Sequence, residues 1–145
     1  MVWEVAVKTI SDILIPKLQE RFVGRGMRVA SPPSPCALFP AEHPDVGEIQ
    51  IYDDGSEVTL VAGNFTHGHF SNYDDELSVD QKAEQISGEV VTFLDALFAD
   101  RIVLWGSHKQ GGGWCHLDHS SSAHGPEQKK YVWSGPLSKD AKLGD

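Results

Sequence analysis

The sequence predicts an α+β protein: a single, mostly antiparallel sheet of about five or six strands with two helices packed on it. Three observations carry this expectation. A polar–apolar alternation on both sides of Asp53-Asp54-Gly55-Ser56 marks a hairpin, a capped apolar stripe marks a helix over 79–98, and a second amphipathic stripe opens the chain.

Taken in order, Trp3, Ala6, Val7, Ile10, Ile13, Leu14, Leu18 and Phe22 recur every three or four positions, which places them on one face of a helix. Pro16 lies inside that pattern and predicts a kink or a split, because it removes one backbone hydrogen bond. Gly24-Arg25-Gly26 supplies the stop. Met27 to Ala30 reads as a short strand. Ser31-Pro32-Pro33-Ser34-Pro35, followed by Pro40 and Pro44, predicts an irregular, extended connection over residues 31–45. Glu48–Tyr52 and Glu57–Ala62 then alternate as two strands, and Gly55 is free to take the positive φ their turn requires. Gly63-Asn64 marks a bulge or turn, after which Phe65 to Phe70 continues the strand or forms a third.

Ser78-Val79-Asp80-Gln81 has the form of a capping box. Behind it Val79, Ala83, Ile86, Val90, Phe93 and Leu97 form one stripe, and Gly88 in the middle, at a cost of about 1 kcal/mol relative to alanine, points to close approach of a neighbour or to no role. Arg101–Trp105 reads as a strand and Trp114–Leu117 as its returning partner, with Gly111-Gly112-Gly113 as a flexible turn between them. Asp118–Lys130 is polar loop, Tyr131–Trp133 a last short strand, and the tail after 136 is expected to be loosely held.

A chain of 145 residues fits one domain. With 40% apolar residues and four tryptophans it has enough core material to fold without a cofactor or crosslink. Cys36 and Cys115 form no paired motif and are expected to be free thiols. The start Met1-Val2-Trp3-Glu4 lacks a basic leader, and no apolar run approaches the roughly 20 residues that cross a bilayer. Together these predict a cytoplasmic protein.

The formal charge of −9 is unevenly placed. Residues 42–100 hold fourteen acids against Lys82 alone, a balance of −13, whereas the segments on either side are each +2. Such a centre repels phosphate backbones and attracts basic surfaces, which argues against nucleic acid as a partner.

Chemistry is suggested mainly by histidine. His67 and His69 point to one side if their segment is a strand, a spacing that can clasp a metal ion. His116 is the first choice for a further ligand, followed by His119 and His124, with Cys115 and Asp118 also suited to zinc. No HExxH or zinc-finger spacing is present. A pairing of His69-Phe70-Ser71 with His119-Ser120-Ser121 fails because Ser120 stands in a loop where a strand would need an apolar residue. Cys115 and His116, as neighbours on a strand, would face opposite ways and do not make an activated thiol. Gly111–Gly113 lacks the Lys-Ser/Thr of a phosphate-binding loop.

The function these features favour is a non-catalytic, acidic interaction module that binds a basic protein through Asp53, Asp54 and Glu57. A small metal-dependent hydrolase using His67, His69 and His116 with zinc or a similar ion is the alternative, and a homo-oligomeric structural unit built through edge strands is a third.

Overall fold

The computed structural model describes residues 9–31, 33–109, 111–117 and 129–137. Residues 3–8 of the first predicted helix, the predicted loop from Asp118 with His119 and His124, and the tail from 138 onward lie outside the described residues.

Helix α1 spans Ile10–Arg21 and is set by a reciprocal cap. The Thr9 hydroxyl accepts from the Asp12 N–H at 3.3 Å, and the Asp12 carboxylate accepts from the Thr9 N–H at 2.9 Å. Pro16 sits inside α1 without ending it, and its ring is exposed. Strand β1 (Arg28–Val29) pairs with β2 (Ala37–Phe39), which pairs with β3 (Ile49–Asp53), β4 (Glu57–Ala62) and β5 (Thr66–Ser71) in an antiparallel five-stranded sheet of order β1-β2-β3-β4-β5. The hairpin stands where alternation placed it, and of the two outcomes open for residues 65–70 the chain forms a third strand. Strand β2 lies within the stretch expected to be irregular: between Pro35 and Pro40 there is room for only three strand residues, two of which are buried.

Helix α2 spans Val79–Phe98, with Ser78 and Gln81 in the expected capping box. Its C-terminus closes in a Schellman motif: the Arg101 N–H donates to Ala96 O at 2.9 Å and the Asp100 N–H to Leu97 O at 3.0 Å. Asp100 takes the left-handed conformation usually left to glycine (φ 61°). Its carboxylate accepts from both the N–H and the hydroxyl of Ser134, at 3.0 and 2.7 Å, which ties the helix end to the final hairpin.

A second antiparallel sheet follows, of order β7-β6-β8-β9, from β6 (Ile102–Ser107), β7 (Gly111–His116), β8 (Lys130–Val132) and β9 (Gly135–Pro136). The class is α+β and antiparallel, with the strands divided between sheets of five and four. The glycine run is a correction to the expected flexible turn, since Gly111, Gly112 and Gly113 are all within β7. They serve close approach. A Cβ on Gly112 would lie 2.3 Å from the Phe65 carbonyl oxygen, and one on Gly113 would lie 2.5 Å from the Trp105 ring that covers it.

One core joins the elements. Ile10, Leu14 and Leu18 of α1 and Ile86, Val90, Leu94 and Leu97 of α2 meet the inward side chains Ala37, Phe39, Ile49, Ile51, Val58 and Leu60. Ile102, Leu104 and Trp133 belong to the same cluster. Phe98 anchors it, with Phe22, Phe39 and Trp133 edge-on at centroid distances of 5.1–5.2 Å. Both helices therefore cover the same side of the five-stranded sheet. The alternate residues Gln50, Tyr52, Thr59, Val61, His67 and His69 face away from them.

Candidate functional site

That outward face is where the chemistry-bearing residues collect. The β4–β5 register sets Thr59 opposite His69 and Val61 opposite His67, and the β3–β4 register adds Tyr52 opposite Thr59. A row Tyr52–Thr59–His69 thus runs across three strands. Tyr52 donates its phenolic O–H to Gln50 at 3.0 Å, and Gln50 donates to Glu48 at 3.3 Å, a chain of side-chain bonds that runs along β3 from this row.

His67 and His69 do lie on one side of β5, with ring centroids 5.2 Å apart and planes nearly perpendicular. His108, beyond the end of β6, stacks on His67 at 6.5 Å while its Nε2 lies 3.0 Å from the Gly63 carbonyl oxygen. Three imidazoles therefore line up over one exposed patch. His116 is placed differently. Its strand pairs with β6, opposite Ile102, and its ring stands 6.0 Å from Trp114. His69 and His116 border one groove of about 780 Å³ between β5, β7 and α2, whose wall includes Phe70, Phe93, Trp114 and Glu89. They do not form a ligand set with His67: among the described residues the one trio of His, Cys, Asp or Glu with ligand atoms all within 4.8 Å of one another is Asp54, Glu57 and His69. The expected set is corrected to that extent. The reason is sheet membership, since His116 follows the second sheet and the other two follow the first.

The acids of the hairpin tip divide by task. Asp53 turns inward: its carboxylate accepts from the Ser11 N–H at 3.0 Å and from the Gly55 N–H at 2.9 Å. It satisfies an amide in the first turn of α1 that the helix cannot, and it places a negative charge at the positive end of the helix dipole. Asp53 is thereby tied into the fold, with both carboxylate oxygens accepting backbone amides. Asp54 and Glu57 stay on the open face. Thr59 donates its hydroxyl to Asp54, and the same oxygen lies 3.1 Å from His69 Nδ1. Glu57 Oε2 lies 3.5 Å from that nitrogen.

Neither thiol is set up for nucleophilic work. Burial, and next the charge of Asp53, push Cys36 up to about 11. Burial also raises Cys115, against a smaller opposing effect of Lys130. Cys36 is a free thiol, and no described helix is long and apolar enough to cross a membrane.

Compared with protein-family models, curated proteins and solved structures, the chain matches none.

Proposed function

We propose that this chain is a non-catalytic interaction module that docks a basic protein on the open face of β3–β5, with Asp54 and Glu57 as its charged contacts. One observation carries the reading: of the fourteen acids in residues 42–100, only Glu84 and Asp95 are paired with a lysine or arginine among the described residues, through Lys17 at 3.0 Å and Arg21 at 2.9 Å. Those two face α1. Asp54 and Glu57 instead stand beside a sheet surface that neither helix covers, which leaves their field directed outward. A flat, half-buried surface of Tyr52, Thr59 and Val61 gives such a partner apolar and hydroxyl contacts next to the charges. The free thiol of Cys36 goes with a cytoplasmic setting for this reading.

The test is capture from extract by the immobilised full chain at low and high salt, comparing wild type with Asp54→Asn/Glu57→Gln. Partners should be basic, should elute as salt shortens the range of the attraction, and should be lost from the double variant. Asp53 is left unchanged in this experiment because its loss would disturb α1. Neutral or acidic partners, or capture indifferent to the two exchanges, would refute the reading.

A further inference from the structure

We infer that Asp54, Glu57 and His69 form a binding site for one divalent transition-metal ion, best suited to zinc. The inference draws on the same two carboxylates as the partner reading above but rests on a different observation, so an ion held here would compete with a basic partner, and zinc binding is read without any partner present. Its basis is a mixed donor set: two carboxylates and an imidazole whose ligand atoms all lie within 4.8 Å of one another. Carboxylates alone would not define a site. Here the imidazole nitrogen Nδ1 faces both of them, 3.5 Å from Glu57 Oε2 and joined to Asp54 through the shared Thr59 hydroxyl.

Three physical arguments point the same way. The first is charge. Asp54 and Glu57 converge with no lysine or arginine paired to either among the described residues, so the two negative charges oppose each other until a cation enters. The second is distance. Zinc holds nitrogen and oxygen ligands at about 2.0–2.1 Å, so a tetrahedral set has ligand atoms about 3.4 Å apart. The His69–Glu57 separation of 3.5 Å already meets that spacing. Asp54 is exposed, and its ligand atom lies within 4.8 Å of those of the other two residues.

The third argument concerns donor chemistry. One nitrogen and two oxygens suit zinc and its neighbours better than magnesium or calcium, which take oxygen sets. His67, in ring contact with His69 at 5.2 Å, stands next in line as a second imidazole. Backbone pairing fixes the frame: Glu57 and Thr59 are on the same side of β4, and His69 is directly opposite Thr59 on β5.

Titration of zinc into the full, tag-free chain, followed by calorimetry, tests the site. One equivalent should bind. His69→Ala and Glu57→Gln should each weaken binding by more than about tenfold, while His116→Ala and the double change His119→Ala/His124→Ala leave it unchanged. Ligation needs a neutral imidazole, so affinity should fall as the solution is acidified. Cobalt, added to isotopically labelled protein, should broaden the ring signals of His69 and His67 before those of His116. Failure of wild type to bind zinc, wild-type affinity in His69→Ala, or loss of binding in the His119/His124 variant would each overturn the inference. His69 is exposed and outside the core, so a folded His69→Ala chain is expected, and its amide spectrum checks this directly.

Discussion

Asp53 and Asp54 are adjacent and chemically identical, yet the hairpin sends them to opposite sides. Asp53 caps the first turn of α1, whereas Asp54 joins Thr59 and the open face. From the sequence they are one acidic pair, because nothing local says that α1 will arrive beside residue 53. The same limit applies to the histidines. Period-two alternation is enough to set His67 and His69 on one side, but the approach of Glu57 to His69 depends on the β4–β5 register. Cys36 shows a neighbour effect that can be measured. Its thiol rises from an ordinary 9.0 to about 11, through burial first and the Asp53 charge second. The folded chain therefore keeps this proton after the unfolded chain has lost it. The contribution to stability is complete below pH 9.0 and is lost as pH climbs toward about 11. Alkylation followed by mass spectrometry should leave Cys36 unmodified in the native protein at neutral pH and modify it as the solution approaches the raised value. Rapid modification at neutral pH would contradict the burial and charge described here.

Helix α2 and the β3–β4 hairpin were legible because their signals are local: a capping box with a continuous apolar stripe, and turn residues between alternating runs. Strand β2 was not, since three strand residues among the four between Pro35 and Pro40 give too short a pattern. The glycines of β7 were misread for a different reason. Their meaning lies in the Phe65 carbonyl and the Trp105 ring, both distant or cross-strand neighbours. Two substitutions test these assignments by denaturant unfolding. Phe93, buried against Phe70 and Trp114 at 5.9 and 4.8 Å, should cost about 3–5 kcal/mol on change to alanine. A loss below about 1 kcal/mol would mean that the apolar face of α2 is wrongly placed. Gly112→Ala should cost about 1–3 kcal/mol, because the added methyl meets backbone and no flexible side chain can yield. A neutral result would restore the flexible-turn reading of this run.

The fold and the charge distribution meet in one arrangement. Two helices close one side of the five-stranded sheet and take Glu84 and Asp95 into ion pairs, and the other side keeps Asp54, Glu57 and the histidine row. The α+β class could be reached from local patterns, but the division of the described strands into two sheets could not, because pairing partners such as β6 and β8 are not consecutive in the chain. The central claim is that the uncovered sheet face is the working surface. It is tested most directly by titrating isotopically labelled protein with the basic partner recovered at low salt and following backbone amide signals. The account predicts that the perturbed amides cluster in the β3–β4 turn, β4 and β5, around Asp54, Glu57 and His69, and that the shifts vanish in Asp54→Asn/Glu57→Gln. Perturbations centred instead on α1 and the exposed side of α2, with β4 and β5 unchanged, would contradict it.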